Sequence, residues 1–177
     1  MKINNEFITL RSLIDSEEEY KRIHKWCQNK DVYEWFEQRI LSYDEVVNKY
    51  KNKLYNSEQT VLIIEYQGIP IGLLQFYKYD NKMILDDIKR YNNIYEYDLF
   101  IGENLYSKGI GKKAIDLIDN YLFNDKNSDC IILRPFSRNI RAIKCYEKCG
   151  YKEIYKYMGK DTLGNDEEMS FMIKEKK

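Results

Sequence analysis

Histidine and proline are close to absent. One histidine, His24, and two prolines, Pro70 and Pro135, occur in a chain of 177 residues. A single histidine provides no nucleophile–histidine pair for covalent catalysis, and nothing in the sequence places it beside a cysteine. With only one histidine, the four cysteines do not make a zinc set either, so no metal is expected. Cys27, Cys130, Cys145 and Cys149 read instead as reduced, mostly buried thiols. Net charge is missing as well. Basic and acidic residues number 29 each, which argues against a nucleic-acid partner. No apolar run approaches the length of a membrane span. The opening MKINNEFITL has no signal-peptide core. A cytoplasmic protein that engages neither membrane nor nucleic acid is expected. The length suits one domain over residues 1–177, as a monomer or homodimer. Tyrosine is abundant, with seventeen copies, but beside a Lys- and Asn-rich surface this reads as coding bias.

The chain alternates in period. Phe7–Leu10 predicts a first strand. Ser16 opens a helix with Glu17, Glu18 and Glu19 in its first turn. Asp31–Arg39 predicts a short helix with Val32, Trp35 and Phe36 turned inward. It is also a candidate substrate-facing segment, with Glu34 and Glu37 available to cations. Ser42 and Glu45 form a capping box for a helix through about Leu54. Gln59–Tyr66 and Ile69–Tyr77 predict a hairpin turned at Gln67-Gly68. Tyr79–Asn93 is polar and irregular, a candidate loop over an active site. Tyr95–Gly102 and Cys130–Arg134 predict buried strands, and Asn139 an N-cap for a helix that Gly150 stops. A final hairpin spans Tyr151–Met158 and Glu168–Ile173.

The centre of this order is strand, glycine turn, helix. Gly109-Ile110-Gly111 opens a helix whose Ile110, Ala114, Leu117, Ile118, Tyr121 and Leu122 share a face. Helix starts carry unpaired N–H groups and the positive end of the macrodipole, so Ser107–Lys113 could hold a phosphate or pyrophosphate. Lys108, Lys112 and Lys113 add charge. An ordinary glycine turn is the competing reading. A Walker loop is excluded by Tyr106 and Lys113 at positions that it reserves for Gly and Ser or Thr. A dinucleotide fold is excluded because Glu103–Lys108 separates strand from glycines and too little chain follows.

Ser107-Lys108-Gly109-Ile110-Gly111 resembles the acetyl-CoA-binding turn of the GNAT N-acetyltransferase superfamily. Tyr106 departs from the Arg or Gln that opens that motif. Downstream, Asn139, Ala142, Tyr146 and Gly150-Tyr151 are similar to the family's Asn-x-x-Ala-x-x-x-Tyr-x-x-x-Gly-Phe segment. The resemblance implies a single GNAT-like α/β domain, a mostly antiparallel mixed sheet flanked by helices. It also implies direct acetyl transfer from acetyl-CoA to an amine. It places coenzyme contacts at Phe100, Ile101, Tyr106, Ser107, Lys108, Gly109, Ile110, Gly111, Lys112, Asn139, Ala142 and Tyr146. Tyr146 corresponds to the tyrosine that protonates the leaving thiolate, although a core tyrosine would share its spacing.

Glu96 and Asp98 share one face of a strand. Such a pair is either solvated or able to attract an ammonium and take its proton. Tyr97–Glu103 resembles the corresponding stretch of the aminoglycoside 6'-N-acetyltransferases, which implies Asp98 as catalytic base. Glu34, Trp35, Glu96 and Asp98 are the candidate substrate contacts, and the resemblance implies that the substrate is a small cationic amine, such as the 6'-amine of an aminoglycoside, bound at Asp98. Those enzymes carry Asp-Pro where this chain has Arg134-Pro135, and a guanidinium there would repel a polycation. Asp161, Asp166, Glu167 and Glu168 are the candidate compensating charges. Another amine (a protein N-terminus, a polyamine or a small metabolite) and a non-catalytic acyl-CoA-binding module stay open as alternatives.

Overall fold

The computed structural model describes residues 1–79, 88–103, 105 and 109–176. Among them eight strands form one sheet in the order β1-β2-β3-β4-β5-β6-β8-β7. In chain order these are β1 Lys2–Asn4, β2 Ile8–Ser12, β3 Gln59–Tyr66, β4 Ile69–Lys78, β5 Ile94–Ile101, β6 Cys130–Leu133, β7 Lys152–Lys160 and β8 Asp166–Glu175. The helices are α1 Glu17–Cys27, α2 Lys30–Phe36, α3 Tyr43–Leu54, α4 Ile110–Asn124 and α5 Ile140–Lys148. No helix of the described residues is long and apolar enough to cross a membrane.

Local rules place most boundaries. Ser42 Oγ accepts from Glu45 N while Glu45 Oε2 accepts from Ser42 N, so α3 starts on a closed capping box. Ser16 caps α1 by accepting from Glu19 N. Gln67 and Gly68 both take positive φ, 51° and 79°, the turn whose twist suits a two-residue hairpin. Pro70 sits at the entry of β4, a strand interior to the sheet. β1 was not expected: its three residues pair with β2 at Lys2↔Arg11 through Asn4↔Thr9. The expected helix over Asp31–Arg39 is α2, which begins one residue earlier and stops at Phe36.

Period-two alternation gives the sheet two apolar faces. Val61 and Ile63 pack with α1, α2 and α3, around Tyr20, Ile23, Trp26, Val46 and Tyr50. Leu62 and Ile64 pack on the opposite face with Ile110, Ala114, Ile118 and Leu122 of α4. Both faces are covered, so β3 reads as one apolar run rather than an alternation. Leu117 and Tyr121, expected on the buried face of α4, are only partly buried.

The sheet opens at β5. This strand pairs antiparallel with β4 from Gly72↔Ile101 to Lys78↔Tyr95. On its other side it pairs parallel with β6 at Ile94↔Cys130, Tyr95↔Ile131 and Glu96↔Ile132. Beyond Glu96, the described residues provide no strand partner for that edge, while β6 continues beside β8. The gap is the mouth of a cleft of about 960 Å³. Of the expected loop Tyr79–Asn93, the described part includes buried Ile88 and Arg90, which pairs with Glu175 on β8 at 2.7 Å.

Candidate active site

One end of the cleft is built by helix starts. Gly109 is the N-cap of α4 with φ 67°, ψ 13° and no side-chain cap bond. Glycine takes that left-handed conformation without the cost that a Cβ brings, and no capping side chain competes for the first-turn N–H groups. Gly109, Ile110, Gly111 and Lys112 all line the cleft. A Cβ on Gly111 would meet only Cys145 Sγ, at 3.7 Å. From α5 come Asn139, Ala142 and Tyr146, and from β5 Phe100 and Ile101. Asn139 is also the α5 N-cap, accepting from Ala142 N at 3.2 Å. Arg141, Lys144 and Lys148 line the same end beside Lys112. Open helix N–H groups, a backbone left bare by glycine and a cluster of cations make a fit for a phosphorylated coenzyme. Tyr106, Ser107 and Lys108, expected in this set, lie outside the described residues.

The α5 end of the cleft is fixed to β5 by a buried polar knot. Tyr97 and Tyr151 hydroxyls both donate to Asp119 Oδ1, at 3.0 and 2.7 Å. Lys174 Nζ donates to Asp119 Oδ2 at 2.7 Å. The Tyr146 ring lies 5.9 Å from that of Tyr151. Burial, and then the Asp98 charge, push the Tyr146 phenol well above its ordinary range, so it stays protonated.

The other end is lined by Asp31, Trp35 and Glu37, by Lys49 and Lys53 of α3, and by Gln75, Asp98, Arg134, Asp161 and Thr162. Asp98 is half-buried on β5, opposite Gln75 in register. Gln75 Nε2 donates to Asp98 Oδ2 at 3.2 Å, and Lys53 Nζ donates to Gln75 Oε1 at 2.5 Å. Burial pushes the Asp98 carboxyl up, opposed by the Gln75 hydrogen bond and by Lys53, Arg134 and Lys49. Thr162, at the tip of the β7–β8 hairpin, donates its hydroxyl to Glu37 O at 2.7 Å and closes this side.

Four expectations change here. Glu96 does not join Asp98 in the cleft: its side chain is 3% exposed and grips the Arg134 guanidinium through two bonds, of 2.7 and 2.8 Å. Burial still pushes the Glu96 carboxyl up to about 7, against the pull of Arg134. Arg134 is therefore not the bare repelling cation that its Arg-Pro position suggested. Its guanidinium is paired with Glu96 rather than with the hairpin acids. Those are committed elsewhere: Asp166 to Lys160, Glu167 to Arg138 and Glu168 to Lys156, and Asp161 to Asn165. Glu34 is absent from the lining of the main cleft. It stands 3.6 Å from Arg138 at a small adjoining depression, which it shares with Trp35.

Sequence reasoning did not single out Lys49, Lys53 or Gln75. Gln75 had a signal, a lone polar residue inside the apolar run of β4. The lysines had none, since in sequence they read as the solvated face of α3.

A family model described as "Acetyltransferase (GNAT) domain" matches residues 15–157. The spermidine N(1)-acetyltransferase of Vibrio cholerae is 26% identical over 151 residues, covering 84% of this chain and 81% of that protein. The aminoglycoside N(6')-acetyltransferase type 1 of Klebsiella pneumoniae is 27% identical over 156 residues, covering 84% and 76%. In fold, the chain is similar to a crystal structure of an aminoglycoside acetyltransferase in complex with coenzyme A. The TM-score is 0.78 at 23% identity, over 96% of this chain and 95% of the other. Spermidine N-acetyltransferase from Vibrio cholerae, in complex with CoA and spermine, gives 0.76 at 21% identity, over 97% and 96%.

Proposed function

Because the chain belongs to the GNAT family of acetyltransferases, we propose that it moves an acetyl group from acetyl-CoA directly onto the primary amine of a small cationic acceptor. The finer reading is the 6'-amine of an aminoglycoside. The observation that carries the proposal is the place of Asp98: a half-buried carboxylate held by Gln75, in the cleft that Gly109–Lys112 and Tyr146 also line.

Acetyl-CoA supplies an activated acyl group and a thiolate leaving group. Everything else falls to this chain. Gly109, Ile110, Gly111 and Lys112, with Arg141, Lys144 and Lys148, hold the phosphates. The β5 edge beyond Glu96 offers backbone N–H groups to an amide-bearing chain or a carbonyl oxygen. An aliphatic amine arrives protonated at neutral pH. Asp98 binds that ammonium by charge and takes its proton, directly or through one water. The freed amine forms the C–N bond as the C–S bond breaks. The second proton, shed by the new amide nitrogen, passes to solvent, and Asp98 releases its own proton to solvent to reset the site. Tyr146 gives its phenolic proton to the departing sulfur and regains one from solvent. The base and the acid are thus one carboxylate and one phenol, with no enzyme nucleophile.

The test is thioester consumption against 6'-amino aminoglycosides, a 6'-hydroxy analogue, and spermidine. Asp98→Asn is expected to lose about 10²-fold in kcat/KM, the scale of a lost general base, while still binding coenzyme. Turnover of Asp98→Asn near the wild-type rate sinks the assignment of the base. A polyamine acceptor is the second reading, favoured by a spermidine-acetylating relative at 26% identity. A preference for spermidine over every aminoglycoside would select it.

A further inference from the structure

α3 delivers a cation into the acceptor end that the reaction outlined above does not use. Lys53 lies in the last turn of α3, and its ammonium meets an amide oxygen rather than a carboxylate. The amide is Gln75, 7% exposed in the middle of β4. An ammonium can only donate and a carboxylate can only accept. Wedged between the two, the Gln75 amide has one workable orientation, with carbonyl to Lys53 and NH₂ to Asp98. Lys53, Gln75 and Asp98 therefore form one directed chain across α3, β4 and β5.

The surroundings decide what that chain does. The charged and titratable groups around it are Lys49 and Tyr50 on α3, Cys27 on α1, Glu37 at the end of α2 and Tyr77 on β4. Glu96 lies on β5, Arg134 follows β6 and Tyr146 is on α5. Two of the acids already have cations: Glu37 pairs with Lys49 and Glu96 with Arg134. Lys49, Arg134 and Lys53 all favour the ionised form of Asp98, and Lys53 is the one of the three with no carboxylate at ion-pair distance among the described residues. Burial, helped by Lys49, pulls the Lys53 ammonium down to about 8. It is therefore charged at neutral pH and below.

We propose that Lys53 is a positioning residue for the acid–base step: acting through Gln75, it fixes the plane of the Asp98 carboxylate and keeps that carboxylate ionised to receive the acceptor's ammonium. This rests on Asp98 being the base. A carboxyl group in a cleft drifts toward its neutral form, which can neither hold an ammonium nor take its proton. A cation one amide away opposes the drift.

The test separates charge from hydrogen bonding. Lys53→Gln keeps a donor toward Gln75 without the charge, Lys53→Met removes both, and Lys53→Arg keeps the charge. The Asp98 carboxyl is titrated by ¹³C NMR in each protein without acceptor, and kcat/KM is followed against pH. In Lys53→Gln and Lys53→Met, the Asp98 pKa and the acid limb of kcat/KM are expected to rise together by about one pH unit, the scale of a lost neighbouring charge. The loss is then about tenfold on the acid side and vanishes above the limb. Lys53→Arg restores both readings. An unmoved Asp98 titration in Lys53→Gln overturns the inference, as does a loss equal at all pH values, which would mark a structural role. If Asp98→Asn keeps full activity, the catalytic reading fails, but the NMR titration still decides whether Lys53 governs Asp98.

Discussion

Arg134→Met isolates the ion pair that corrects the sequence reading. Glu96 is 3% exposed at its side chain and has Arg134 as a two-bond partner. Removing one member of a buried pair leaves an uncompensated charge, at a cost of about 3–5 kcal/mol. For a domain of this length about 2–4 °C of Tm accompanies each kcal/mol, so a loss of about 10 °C is expected at pH 8. The pH dependence has a definite sign. Glu96 is already raised to about 7 with Arg134 in place, and without that cation it rises further. A carboxyl whose folded pKa lies above its unfolded value gives its stability below the unfolded value, about 4.5, and loses it as pH climbs through the folded one. The deficit of Arg134→Met against the wild type should therefore narrow toward pH 5 and widen past neutrality. Adding Glu96→Gln removes the stranded charge and should recover most of the loss. Glu96→Gln alone should do the reverse in function. It bares the guanidinium beside Asp98 and raises KM for a cationic acceptor about tenfold, the equivalent of 1.4 kcal/mol. Thermal unfolding by circular dichroism at pH 5 and pH 8 tests the stability argument. An Arg134→Met deficit independent of pH, or a double variant no better than the single, refutes it.

Other expectations concern the coenzyme end. Tyr146→Phe should lower kcat while leaving coenzyme affinity in place, because the lost proton donation belongs to the chemical step; single-turnover rates beside calorimetry would separate the two. Gly111→Ala should fold and bind coenzyme, since its Cβ meets only a sulfur at 3.7 Å. Gly111→Val adds branches that crowd the backbone facing the phosphates and should weaken coenzyme binding without lowering Tm to match. Equal affinity for the valine variant by calorimetry would move the phosphate site away from α4.

How far the residues foretold this architecture depends on the range of the interactions involved. The capping box at Ser42 and the turn at Gln67-Gly68 are decided within a few neighbours, so the pattern of residues was enough. The stripe of α4 was legible only in part, because the sheet beneath it buries Ile115, Asp119 and Phe123 and leaves Leu117 and Tyr121 half-buried. The two faces of β3 were legible as a buried run, though not which helices would cover each. β1 was missed because Lys-Ile-Asn has no strand pattern of its own, and only pairing with β2 makes it one. The Glu96–Arg134 pair spans 38 residues, and nothing local distinguishes it from two solvated charges. Period two placed Glu96 and Asp98 on one side of β5. It gave no sign that a guanidinium from the end of β6 would claim the first and leave the second in the cleft. Lys53 shows the same limit, because a lysine on a helix surface becomes a site group only when β4 and β5 are laid beneath it.

The bare edge of β5 bears on how the protein survives in solution as well as on what it binds. Residues 97–101 have their β4 side paired, and among the described residues no strand lies against the other. Unpaired strand edges are templates for aggregation, and proteins usually cover, shorten or charge them. Here the edge is recessed between diverging strands, and the group suited to cover it is a ligand with its own amides. Anything that binds there stabilises the native state by mass action, by about 2.7 kcal/mol at a hundredfold excess over Kd. The supply of coenzyme would then govern the protein's resistance to aggregation along with its rate of turnover, and starvation for one would erode both.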